Sequence, residues 1–98
     1  MKTIKKNLLV KMREHIEEYI DASFRIWPER CMPMLVIIFD DFEEVVSITS
    51  EKYQEELKRI LLKLLNAMEN QDYVLIRDYL SYELLPLVDL MQKESVES

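Results

Sequence analysis

Few residues in this chain have types and spacing that could do chemistry. His15 is the only histidine and Cys31 the only cysteine. Nucleophilic catalysis needs a hydroxyl or thiol beside a base. Cys31 instead stands in Cys31-Met32-Pro33-Met34, next to an apolar run and far in sequence from His15. It reads as a buried, inert thiol. His15 has Glu14 and Glu18 as helix neighbours and Lys11 four residues earlier. A lone histidine falls short of the usual ligand count of a metal centre, so it reads as a surface histidine beside carboxylates. The Glu-x-x-His repeats of dimetal helical bundles are absent, because Met12 occupies the position three before His15.

Asp40-Asp41 follows an apolar run, an arrangement that can hold Mg²⁺ at the end of a buried strand. Such sites belong to folds of alternating strands and helices joined by glycine-bearing turns, and this chain has no glycine. Asp40, Asp41, Glu43 and Glu44 therefore read as an acidic patch on a solvated helix face. Their mutual repulsion costs about 0.2–0.5 kcal/mol per pair, and the patch suits a basic partner. Trp27, Tyr79 and Tyr82 fall off the main apolar stripes or beside prolines, and the six methionines supply adaptable apolar surface. Tyr and Trp are enriched at interface hot spots, so these residues point to adhesion more than to catalysis.

The absence of glycine also excludes the dinucleotide fingerprint and the phosphate-binding P-loop, and it disfavours tight hairpins. Of the 98 residues, 49% are hydrophobic and 33% charged, a globular balance outside the disordered regime. The net charge is −6, unevenly spread: Lys2, Lys5, Lys6, Lys11 and Arg13 make the first thirteen residues basic, and the rest is strongly acidic. An acidic body repels nucleic-acid phosphates and anionic lipid, so neither is expected as a partner. One cysteine permits no internal disulfide, and the longest apolar run, Cys31 to Phe39, is far short of a membrane span. A cytoplasmic location is expected.

Four segments that would position these residues show helical periodicity. The first carries Ile4, Leu8, Met12, Ile16, Tyr19, Ile20 and Phe24 and should end just before Trp27, since Pro28 disfavours a helical residue ahead of it. The second, Met34 to about Ile48, opens with a β-branched run that alone could be a strand. Phe42, Val45 and Val46 continue it at helical spacing, and no other segment alternates with period two, so a helix is the better reading. The third runs from a Ser50 cap through Tyr53, Leu57, Ile60, Leu61, Leu64 and Met68, with Glu55 placed to pair with Arg59. Asp72 should cap the fourth, which carries Tyr73, Ile76, Leu80, Leu84, Leu87 and Met91, with a second line at Leu75, Tyr79 and Tyr82. Its stripe keeps phase across Pro86, so one helix kinked at Pro86 is expected, with Lys93 to Ser98 a frayed tail. The fold class is all-α: one domain over residues 1–98, an antiparallel up-down four-helix bundle.

The stretch from Leu65 to Leu87 contains Asn70-Gln71-Asp72-Tyr73 and then Asp78-Tyr79-Leu80-Ser81-Tyr82-Glu83-Leu84-Leu85-Pro86. It resembles the C-terminal half of a group of small, uncharacterised bacterial helical proteins, in which an N-x-D-Y turn leads into a D-x-L-x-Y-E-L-x-P helix. The likeness covers about a quarter of the chain. The loop before the second helix departs from the group, with Pro28 to Pro33 where a glycine is usual. The resemblance implies a helical bundle and no particular activity. Some members look like flagellar export chaperones in size and helix layout, an analogy of fold alone.

These observations favour a non-enzymatic adaptor or chaperone-like bundle that binds another protein, a helical client among the candidates, and forms a homodimer. The candidate partner surface is Leu75, Tyr79 and Tyr82, with Trp27 nearby if the helices pack antiparallel. The alternative is a small-ligand- or metal-binding bundle with a core pocket beside Pro86. No catalytic set, cofactor or metal ligand set is assigned.

Overall fold

The computed structural model describes residues 2–97, and the side chains of residues 5–94. It is all helical: α1 (Lys2–Ser23), α2 (Pro28–Ile48), α3 (Glu51–Glu69), and a fourth helix in which α4 (Tyr73–Tyr79) continues through a π-helical turn (Leu80–Leu84) into α5 (Leu85–Glu97). No strand occurs among the described residues, so the ambiguous β-branched run lies inside α2. Each helix packs on the next, and α5 returns to α1, closing a four-helix bundle of 40 × 23 × 20 Å.

The core follows from the spacing of the buried side chains. In α2 they are Cys31, Leu35, Ile38, Phe42 and Val45, and in α3 Tyr53, Leu57, Ile60, Leu64 and Ala67. Steps of four and three keep one face inward over successive turns. α1 buries Leu9, Met12, Ile16, Tyr19 and Ala22. Met12, Ile16 and Tyr19 of the expected stripe are in the core, Leu9 and Ala22 join them, Leu8 and Ile20 flank the core, and Phe24 is 68% exposed. Ile4 has its side chain outside the described residues. α1 ends at Ser23 rather than beside Trp27, because the amides of Arg25 and Ile26 both turn back to the Ala22 carbonyl.

The fourth helix buries Ile76, Leu80, Leu84, Val88 and Met91. Val88, not Leu87, is the core residue after Leu84; Leu87 lies at the core's edge. Three successive steps of four drift by about 120° in a regular α-helix, and a π turn takes in one extra residue, setting the phase back by about 100°. The wide turn Leu80–Leu84, closed by the Leu85 amide on the Leu80 carbonyl, thus keeps the stripe on the core. Pro86 follows at once, where its missing N–H and bulky ring would crowd a regular turn. The helix runs through Lys93 to Glu97, and Ser98 lies outside the described residues.

The connections are short and specific. Pro28 opens α2 at its first turn, where no amide partner is needed, and Pro33 is accommodated one turn later. Ser50 precedes α3 without a side-chain cap; its backbone carbonyl instead accepts from the Tyr53 and Gln54 amides. The Gln54 side-chain amide donates to the carbonyls of Val46 (3.0 Å) and Thr49 (3.1 Å), tying the end of α2 to the start of α3. At the other end of α3, the Gln71 amide bonds the Met68 carbonyl and the Asp72 amide the Ala67 carbonyl, with Gln71 at φ 54°. This is the pairing that satisfies the last carbonyls of a helix, and its left-handed residue is usually glycine. The Asp72 carboxylate then caps α4, accepting from the Leu75 amide at 3.1 Å.

Candidate functional site

Neighbouring residues of a helix point about 100° apart, so Asp40, Asp41, Glu43 and Glu44 cannot share one face. Asp41 is three after Ile38 and four before Val45, both core positions, and it is only 2% exposed. The expected solvated patch is corrected accordingly. Asp41 lies buried against α1, its Oδ2 2.6 Å from His15 Nδ1 and its Oδ1 3.6 Å from Lys11 Nζ. Lys11 also reaches Glu44 Oε1 at 3.5 Å. Asp40 and Glu43 are exposed and make no ion pair among the described residues. The patch is thus split: Asp41 and Glu44 belong to the α1–α2 seam, and Asp40 and Glu43 to the opposite side.

An ionised carboxylate can only accept, so the His15 Nδ1 proton donates to Asp41. Lys11 and His15 stand one turn apart on α1, and Asp41 and Glu44 one turn apart on α2, so the seam carries two polar rungs. His15 is therefore half-buried in an interhelical pair and is not a free surface histidine. A carboxylate that fixes a histidine tautomer is one element of catalytic triads. Here the thiol of Cys31 is ten residues from Asp41 along α2, about 15 Å, and its Sγ is engaged with the Trp27 carbonyl at 3.7 Å. Among the described residues no three His, Cys, Asp or Glu side chains converge as a metal-ligand set. The seam reads as a structural element that fixes the pairing of α1 and α2.

Between α2 and α3 the packing leaves an open groove of about 450 Å³, floored by Phe39, Phe42, Val46, Leu61 and Leu65 and walled by Glu43 and Lys58. Val36 and Leu62 are exposed on the same two helices, so apolar surface extends beyond the groove itself. None of the residues around Pro86 lines it. The sequence signal for this site is the second apolar line that both helices carry beside their core stripes: Phe39 and Val46 on α2, and Leu61, Leu62 and Leu65 on α3.

The residues expected to form a partner surface are divided. Tyr82 is 76% exposed and Trp27 74% exposed. Leu75 and Tyr79 pack against the core, and the Lys63 ammonium sits 5.4 Å from the centre of the Tyr79 ring. Trp27 stands in the α1–α2 turn with exposed Phe24 and Ile26. Arg77 of α4 stacks over the Phe24 ring at 4.2 Å, which brings exposed Val74, one turn earlier, to the same end of the bundle. Nearby in the core, burial pushes the Tyr19 phenol up to about 12, with the charge of Cys31 acting in the same direction.

Residues 6–94 match the family described as a domain of unknown function, DUF8042, and the chain belongs to that family. No curated protein and no solved structure is significantly similar to it. No helix among the described residues is long and apolar enough to cross a membrane.

Proposed function

We propose that this protein is a non-enzymatic binding module that receives a helix of another protein in the groove between α2 and α3. The observation that supports this reading is the open groove lined by Phe39, Phe42, Val46, Leu61 and Leu65, of which Leu65 is exposed and Phe39, Val46 and Leu61 are only partly buried. A helix bound in such a groove inserts apolar side chains at i, i+3, i+4 and i+7, and uncovered apolar surface of this kind marks interaction sites. Met32 and Met68, at the edge of the core on the same two helices, add adaptable apolar side chains beyond the groove lining. That adaptability favours a chaperone-like adaptor over a partner of a single shape.

The test uses a fluorescent amphipathic peptide of about 18 residues, long enough for roughly five helical turns, with leucine on one face and glutamine on the other. It is expected to bind the full chain and to shift amide resonances of α2 and α3. Leu62→Ser with Leu65→Ser should abolish binding and leave the melting temperature nearly unchanged, because both side chains are largely exposed. Binding that survives in the double variant would place the partner elsewhere.

A second reading, self-association into a homodimer, is favoured by the exposed end cluster of Phe24, Ile26, Trp27 and Val74. Sedimentation should then show a dimer that Trp27→Ser dissociates.

A further inference from the structure

We infer that the helix received by the α2–α3 groove is basic, an inference that rests on the groove reading above. Glu43 stands on the groove wall. Asp40 lies one turn back on α2, Glu55 precedes Lys58 by three, and Glu69 follows Leu65 by four. All four carboxylates are exposed, and none makes an ion pair among the described residues.

Several basic side chains are committed elsewhere. Lys11 serves Asp41 and Glu44, Arg13 serves Glu17 and Asp89, and Arg59 and Lys63 serve Glu83. Only Lys58 lines this groove. Arg59 pairs with Glu56 at 2.7 Å rather than with Glu55, so Glu55 makes no ion pair among the described residues. An apolar floor with an acidic rim fits a helix whose apolar stripe is flanked by Lys or Arg. Docking lowers the local dielectric around rim charges and strengthens their attraction for the opposite sign. The same rim rejects an acidic helix by leaving like charges face to face.

A second copy of this chain is not the occupant. Its basic segment lies on α1, whose apolar side chains Leu9, Met12 and Ile16 are already buried in their own bundle. The groove runs from Phe39 to Val46, seven residues or about 10 Å, so two turns of the partner supply its anchors.

The test compares three labelled peptides with the same leucine positions and Lys, Gln or Glu elsewhere, together with a scrambled Leu/Lys peptide that cannot form an amphipathic helix. At low salt the full chain should bind the Lys peptide about tenfold more tightly than the Gln peptide, and the Glu peptide least. Added salt should erase the advantage. The quadruple variant Asp40→Asn, Glu43→Gln, Glu55→Gln, Glu69→Gln should bind the Lys and Gln peptides alike. Equal binding of Lys and Gln peptides by the unaltered chain overturns the charge inference while the groove stands. A Lys preference that persists in the quadruple variant, or tight binding of the scrambled peptide, overturns it as well, since the attraction then arises elsewhere. If no peptide binds, the groove reading itself falls.

Discussion

Asp40 and Asp41 are adjacent in the chain, yet one faces solvent and the other is closed between two helices. Removing the buried Asp41 carboxylate takes the acceptor from its partly exposed partners His15 and Lys11 and empties its place between the helices, which costs more than losing a surface charge. Asp41→Ala should therefore destabilise the fold by about 2 kcal/mol, and Asp40→Ala by less than about 0.5 kcal/mol, as read from denaturant melts. A cycle combining Asp41→Ala with His15→Ala should show strong non-additivity. The position of Asp41 was visible in its spacing from Ile38 and Val45. What local periodicity cannot show is which helix covers that face, and hence that Lys11 and His15 would meet it. Tyr19 gives a second prediction. Its phenol ionises near 12 in the folded chain against about 10 for the ordinary residue. The folded state thus holds the proton longer, and stability is lost as pH rises from about 10 through about 12. Tyr19→Phe should lessen that alkaline loss, and ultraviolet titration should show late-ionising tyrosines, Tyr19 and Tyr53, with one fewer in the variant.

The fourth helix differs from the others in its rhythm. Its core positions step by four three times in succession, whereas α2 and α3 alternate fours and threes. Choosing Leu87 over Val88 gives a regular stripe on paper and hides the wide turn that the real spacing demands. Val88→Ala should cost about 2 kcal/mol and Leu87→Ala less than about 1 kcal/mol in the same melts; the reverse order would return the stripe to Leu87. The joint between α3 and α4 carries its own test. Gln71 holds a left-handed backbone at φ 54° without being glycine, so Gln71→Gly should raise stability by up to about 1 kcal/mol. The Asp72 cap was legible because Asp precedes an apolar-periodic run. Ser50 looked equally suitable, but there the Gln54 side chain secures the corner instead.

At the scale of the whole molecule, the helical class, the four segments and most of the core were legible, because each helix repeats its apolar stripe over several turns. The groove was not. Its residues sit one step off the core lines, and only the spacing of α2 from α3 reveals whether such side chains are covered. The partner surface assigned from aromatic content fared unevenly for a related reason: Tyr79 and Leu75 have core to pack against, and Tyr82 and Trp27 do not. Trp27 is the only tryptophan, so it reports on its own end of the bundle. Its emission should match water-exposed indole in dilute solution. Should copies associate through that end, the emission will shift to the blue as concentration rises.

Gln54 holds two carbonyls at the tail of α2 from the first turn of α3, and so it fastens α2 and α3 together at one end only. The pair is then mechanically a pair of tongs with its pivot at the Ser50 corner. A rotation of about 5° about that pivot moves the far end of α3, about 28 Å away, by about 2.5 Å. Val46 and Lys58 lie nearer the pivot and Phe39 and Leu65 further from it, so the aperture widens most at the Phe39 mouth. One small angular adjustment would fit the proposed groove to partner helices of different girth, with no change to either helix.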